Sequence, residues 1–201
     1  MSQPAVGHRE RKKQQTRDAI AQAALDLFVE QGYAATTLAE IAEAAGVSTR
    51  TIFAYFPSKE AILFADFETV KKALAQALAD RPGGKDALGT LRDFILDAVS
   101  AKSERDQKLE EIVCGDDLLR SHKRARLSEV QELLVAAIAD DLGCGPDDLR
   151  PQVAAASLTA AFEVLERQGE GTPPPQDAQE IAAAIDPIIS FVRAGLEALP
   201  A

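Results

Sequence analysis

The sequence of 201 residues predicts an all-α protein of about nine helices, and three observations carry that reading. Ala supplies 37 residues while Trp is absent and Tyr occurs twice, a balance that favours helix because Ala loses no side-chain entropy there. Apolar residues recur at i, i+3, i+4 and i+7 along most of the chain, with no βαβ alternation and no internal repeat. Pro, Gly and short capping residues cut those stretches at helical lengths.

The elements follow in order. A first helix runs from about Lys12 to Gln31, with Ile20, Ala24, Leu27 and Phe28 on one face and Gly32 ready for the left-handed C′ position. Thr37-Leu-Ala-Glu40 reads as a capping box that starts a second helix carrying Leu38, Ile41, Ala42 and Ala45. Gly46-Val47 make a tight turn, Ser48 caps a third helix from about Thr49 to Tyr55, and Pro57 ends it. Ser58 caps a long amphipathic fourth helix through Ile62, Phe67, Leu74 and Leu78, which stops at Arg81-Pro82-Gly83-Gly84. Further helices are expected over about 85–102, 106–116, 118–142, 149–167 and 177–199, the last kinked or restarted at Pro187. Gly169 to Pro175 reads as a linker.

Composition excludes several classes of protein. The chain is 46% hydrophobic and 27% charged, ordinary values for a folded domain. It is long enough to bury a core without a disulfide or a structural metal. Two cysteines, Cys114 and Cys144, with no CxxC spacing and only His8 and His122 as histidines, offer no zinc site and no disulfide framework, so no metal or cofactor is expected. Isolated buried thiols are the expectation for the pair, with a redox switch as the alternative. No apolar run approaches the ~20 residues of a membrane span, and no apolar segment follows the N-terminal charges. The expected compartment is the cytoplasm.

The second and third helices carry the functional signal. Two helices of about eight residues joined by a tight Gly turn and backed by a long helix form a helix-turn-helix, here over residues 37–56. Ile41, Ala42, Val47, Ile52 and Phe56 set the angle between them. Thr49, Arg50, Thr51, Phe53, Ala54 and Tyr55, with Ser48 at the start, are then placed along the outer face of a helix that fits a major groove about 12 Å wide. Arg50 suits a guanine edge, the hydroxyls suit bases or phosphates, and Phe53 suits a thymine methyl. Thr37, Tyr55 and Lys59 lie at helix ends where phosphate contact is natural. The basic segment Arg9, Arg11, Lys12, Lys13, Arg17, opposed only by Glu10, reads either as an arm for the DNA backbone or minor groove or as a solvated end.

Thr36-Thr37-Leu-Ala-Glu-Ile-Ala-Glu-Ala-Ala-Gly-Val-Ser48 followed by Thr51-Ile-Phe-Ala-Tyr-Phe-Pro-Ser-Lys-Glu60 resembles the N-terminal domain of TetR-type transcriptional regulators. The resemblance covers about residues 14–74. It implies a homodimer that binds a palindromic operator, usually as a repressor, and leaves it when a small molecule enters the helical C-terminal domain. Carried over by position, Thr49, Arg50 and Phe53 correspond to base readers, and Thr37, Thr51, Tyr55 and Lys59 to phosphate contacts. Ala54 departs from the family, which often has a larger side chain there. The spacing around Tyr55-Phe-Pro-Ser-Lys, Ala79-Asp-Arg-Pro82 and Asp147-Asp-Leu-Arg-Pro151 resembles an actinobacterial branch whose C-terminal domains bind acyl-CoA-like ligands, which implies a lipophilic or acyl-thioester effector.

The expected organisation is therefore a basic arm over 1–13, a DNA-binding domain over 14–74 and a ligand-binding and dimerisation domain over 75–201. Candidate ligand-lining residues are Phe94, Ile95, Val99, Ile112, Val113, Leu134, Ile138, Phe162 and Leu165, each of which is otherwise core packing. Arg120, His122, Lys123, Arg124 and Arg126 suit either an anionic ligand group or a solvated helix start. Leu158, Ala161, Leu165, Ile181, Ile185, Ile188, Ile189, Val192 and Leu196 form stripes on the last two helices that suit a four-helix dimer interface, or the core of their own domain.

Two rival classes are weaker. A helical-bundle enzyme lacks a Glu-x-x-His pair, a nucleophile beside a base and a P-loop. A non-specific architectural DNA binder would be strongly basic, whereas this chain has 22 Lys and Arg against 32 Asp and Glu, a net charge of −10. That charge is unevenly spread: residues 1–59 carry seven basic and six acidic side chains, and the acidity lies in 60–201. DNA is thus not excluded as the partner; weak non-specific binding and strong salt sensitivity are expected.

Overall fold

The computed structural model describes residues 7–168 and 178–199, and the residues described form helices, turns and loops with no strand. Ten helices occur among them: α1 (His8–Gln31), α2 (Leu38–Ala44), α3 (Thr49–Tyr55), α4 (Lys59–Leu63), α5 (Phe67–Ala79), α6 (Ala87–Ser100), α7 (Glu104–Cys114), α8 (Asp117–Leu142), α9 (Leu149–Gln168) and α10 (Ala178–Ala198). The chain divides between Asp66 and Phe67 into two compact units. The expected linker from Gly169 to Pro175 lies outside the described residues.

In the first unit α1 packs on α2 and α4, and α2 packs on α3. The stripe Ile20, Ala24, Phe28 of α1 is fully buried, as are Ile41, Ile52, Phe56 and Ile62 from the shorter elements. Each short helix has its own start signal. Thr37 and Glu40 close the capping box on α2, Ser48 accepts from the Thr51 amide, and Ser58 accepts from the Ala61 amide. Gly46 turns the chain between α2 and α3 at φ +65°, a left-handed conformation that a Cβ disfavours.

Two boundaries differ from the sequence expectation. The first helix begins at His8, so the segment expected as an arm or loose end forms its first turns. The Gly7 carbonyl accepts from the amides of Glu10 and Arg11, and the run Arg-Glu-Arg-Lys-Lys-Gln-Gln consists of strong helix formers. The long fourth helix is two, α4 and α5, broken at Phe64–Asp66. The Arg17 guanidinium donates to the Ala65 carbonyl (3.4 Å) and lies over the Phe56 ring, a tertiary contact that holds the break while the apolar spacing continues across it.

In the second unit Leu74, Leu78, Leu88, Leu91, Leu134, Ile138, Leu158, Ile185, Ile189 and Val192 form one core. Ion pairs join its helix ends. Arg81 at the end of α5 reaches Asp140 (2.7 Å) and Asp141 (2.6 Å) on α8, and Asp141 also accepts from the Ala87 amide at the start of α6 (2.6 Å). Arg92 of α6 pairs with Asp186 of α10, and Arg193 of α10 with Asp86, the α6 cap (2.6 Å). Helix α7 starts at Glu104, two residues before the expected start, because Ser103 and Asp106 form a second capping box. Helix α10 runs unbroken through Pro187; Pro187 and Ala183, whose carbonyl loses its usual donor, are both exposed, so solvent can satisfy it.

Residues from two of the sequence expectations meet in this core. Leu158, Ile185, Ile189 and Val192, which suit a dimer interface or the core of their own domain, are buried within the chain, and Leu134 and Ile138, which suit a ligand lining or core packing, belong to the same core. A stripe at helical spacing records only that a face is covered, not by what. Replacing Leu134 with Ala is expected to cost about 2–5 kcal/mol through lost burial plus a residual cavity, measured by urea denaturation.

Candidate nucleic-acid interface

The start of the candidate surface is built by capping chemistry. Thr37 donates from its amide and its hydroxyl to the Glu40 carboxylate (both 2.8 Å), and the Glu40 amide donates back to the Thr37 hydroxyl (3.2 Å). The backbone and side-chain hydrogen bonds from Thr37 hold the Glu40 carboxyl below its ordinary range. Thr37 remains exposed, so a phosphate can approach the α2 start. At α3, the Ser48 oxygen takes the Thr51 amide (3.1 Å) and shares a hydrogen bond with the Thr51 hydroxyl (2.8 Å).

Along α3 the faces separate cleanly. Ile52 is buried, while Arg50, Phe53 and Ala54 are exposed, Phe53 at 55%. Thr49, Thr51 and Tyr55 are half-buried at its edges. Arg9, Arg11, Lys12 and Lys13 are exposed on the first turns of α1, adding positive charge to this unit.

Lys59 is placed differently from the rest. Its ammonium donates to the carbonyls of Tyr33 (2.6 Å) and Thr36 (2.9 Å) and sits 4.1 Å from the centre of the Tyr33 ring. The Tyr33 hydroxyl in turn donates to Glu60 (2.7 Å), and its ring packs on Phe28. Tyr33, Thr36 and Arg17 are thus part of the machinery that holds this surface; the sequence showed their residue types, but only the fold reveals what they touch.

In the second unit Phe94, Ile95 and Phe162 are half-buried and packed on the core, Ile112 and Leu165 are half-buried, and Val99 and Val113 are buried. The basic cluster is largely engaged by its own chain. Lys123 pairs with Glu110 (3.4 Å), which also binds Lys102, Arg120 binds Asp117 and the Cys114 carbonyl, and Arg126 bonds the His122 carbonyl (3.0 Å). Cys114 and Cys144 form no disulfide and are half-buried rather than buried. Among the described residues no group of three or more His, Cys, Asp or Glu is arranged to hold a metal, and no helix is long and apolar enough to cross a membrane.

A long supporting helix, two short capped helices at a Gly turn and an exposed Arg-Phe face define a helix-turn-helix DNA-binding protein. The profile of bacterial regulatory proteins of the tetR family matches residues 20–65. The chain is 35% identical to the HTH-type transcriptional regulator TcmR of Streptomyces glaucescens, over 81% of this chain and 76% of that one. It is 47% identical over 68 residues, 32% of each chain, to the regulator RutR of Escherichia coli strain K12. Among solved structures, NalD, the secondary repressor of the MexAB-OprM multidrug efflux pump of Pseudomonas aeruginosa, superposes with a TM-score of 0.62 at 26% identity, over 88% of this chain and 96% of that one. The triclosan complex of SmeT, the repressor of the Stenotrophomonas maltophilia pump SmeDEF, gives 0.62 at 25% identity, over 88% and 90%. The chain belongs to the TetR family and is a DNA-binding transcriptional regulator.

The Glu40 carboxyl carries a pH signature. Its pKa is lowered in the folded state, so its stabilisation is fully present above the ordinary Glu range and is lost as pH falls through the depressed folded value. The stability difference between the parent and Glu40→Gln, measured by thermal melting, is expected to be present at neutral pH and to close in acid.

Proposed function

We propose that this regulator is a homodimeric repressor that binds a palindromic operator through two copies of α3 and releases it on binding a small lipophilic molecule. The observation that carries the reading is the outward face of α3, where Arg50 and Phe53 stand exposed beside capped hydroxyls. Arg50, Thr49 and Phe53 are assigned to base edges, and Thr37, Ser48, Thr51 and Tyr55 to the phosphates that set register. In a dimer the two α3 helices must sit ~34–36 Å apart to enter successive major grooves. Exposed Arg9, Arg11, Lys12 and Lys13 reach the backbone from a helix, not from an extended arm.

The dimer face is assigned to residues that remain exposed in the single chain. Leu149, Val153, Ala156, Ala160 and Val164 recur every three or four residues on α9, all exposed, and Phe191 on α10 is 74% exposed. Ala161, Ile188 and Leu196, half-buried at the margins, keep their place in this interface. Two apolar helix faces per subunit suit an isologous four-helix contact.

The effector is assigned to the half-buried residues Phe94, Ile95, Ile112, Phe162 and Leu165, which retain surface to offer a ligand. SmeT with triclosan supports an apolar small molecule, and an acyl thioester remains the specific candidate. A ligand acts here only through its differential affinity for the two states. Operator release by long-chain acyl-CoAs, followed by fluorescence anisotropy, tests that candidate; no release at saturating ligand removes it.

Selection from a random DNA pool is expected to return a palindrome. Arg50→Ala is expected to lose about 1–3 kcal/mol of discrimination at one base position per half-site, measured by competition with single-base variants. Phe191→Glu is expected to give a monomer by light scattering while leaving helix content by circular dichroism unchanged.

A further inference from the structure

We propose that Lys59 acts on DNA binding indirectly, as a clamp that positions the start of α2, and not as a phosphate contact. The inference rests on the DNA-binding reading above and adds a positioning residue to it. Lys59 is the first residue of α4, where free backbone amides disfavour a cation. Its ammonium has compensating acceptors: two main-chain carbonyls of the α1–α2 loop, at 2.6 and 2.9 Å, and the face of the Tyr33 ring. Two of its three N–H donors are therefore spent inside the protein.

The loop that Lys59 holds leads directly into the α2 cap. Thr36 is 1% exposed, and its hydroxyl donates to the Gly32 carbonyl (2.8 Å). Its carbonyl, held by Lys59, belongs to the same planar peptide unit as the Thr37 amide, which donates to Glu40. Fixing the carbonyl therefore fixes the amide, and with it the direction in which the exposed Thr37 hydroxyl faces. Tyr33 completes the clamp, since its ring lies under the ammonium while its hydroxyl reaches Glu60 at the next position of α4.

Contact and clamp differ in salt dependence. Losing a phosphate contact lowers the slope of log K against log salt by about 0.9 per phosphate, hence by about two across a dimer. Losing a neutral positioning effect lowers affinity at constant slope. The two variants are Lys59→Met, which keeps the alkyl stem, and Lys59→Arg, which keeps the charge and serves phosphate at least as well as Lys. The probe is the duplex that the parent protein selects from a random pool, titrated across salt at a temperature where all three proteins are folded.

The clamp predicts that both variants bind about tenfold more weakly per half-site, the loss of roughly one charge-assisted hydrogen bond at each, hence about a hundredfold across the dimer, with the parental salt slope. A lowered slope in Lys59→Met with parental affinity in Lys59→Arg overturns it in favour of direct contact. Unchanged affinity with only a lowered melting temperature overturns it in favour of a purely structural role. Hydrogen exchange on the DNA-free proteins decides independently: the Thr36 and Thr37 amides are expected to exchange about tenfold faster in Lys59→Met, and unchanged exchange overturns the clamp. Should the parent select no duplex, the function proposed above fails while this exchange measurement still judges the clamp.

Discussion

The exposed outer face of α3 depends on burial of one stripe of α1. Ile20, Ala24 and Phe28 are withdrawn from water where α1 packs on α2 and α4, and that burial supplies the free energy that three helices of five to seven residues cannot supply for themselves. Isolated helices of that length do not persist in water, because nucleation costs more than a single turn of hydrogen bonds returns. With the α1 wall in place, Ile41, Ile52, Phe56 and Ile62 have an apolar surface to meet, and the outer side of α3 faces solvent as a consequence.

Capping then turns a packed trio into a directed one. Thr37, Ser48 and Ser58 each bind the amide three residues ahead, so the short helices begin at defined residues and present defined faces. Arg17 and Lys59 work between elements in the same manner, each giving a charged donor to main-chain carbonyls outside a helix. A charged donor on a carbonyl is worth more than a neutral one, and both cations also lie over an aromatic ring. The positive charges most deeply engaged in this unit thus hold its geometry, and those on the first turns of α1 stay exposed.

The second unit solves a different problem with different means. Its helices are long enough to bury a continuous core, and ion pairs at their ends, Arg81 with Asp140 and Asp141, Arg92 with Asp186, and Arg193 with Asp86, tie α5, α6, α8 and α10 together. Exposed pairs contribute little to stability one by one. Their geometry nevertheless sets register, since Asp141 binds both a side chain and the first amide of α6. The acidity of residues 60–201 is in part the other half of these pairs.

Local signals decided much on their own. Capping residues, the Gly46 turn, the Pro57 stop and the apolar spacing of α1 are contained within a few consecutive residues, so the helix-turn-helix and its outward Arg50 and Phe53 were legible in the sequence, as was the helical character of the whole chain. Tertiary structure alone decided what each apolar face meets. Leu158, Ile185, Ile189 and Val192 have the same spacing whether they face a partner or their own core, and the fold turned them inward and left Val153, Val164 and Phe191 outside. The break between α4 and α5 and the inward turn of Lys59 have the same cause: each is held by residues more than twenty positions away, Arg17 for the one and Tyr33 and Thr36 for the other. Sequence periodicity records that a contact is needed; which group makes it is settled only when distant segments come together.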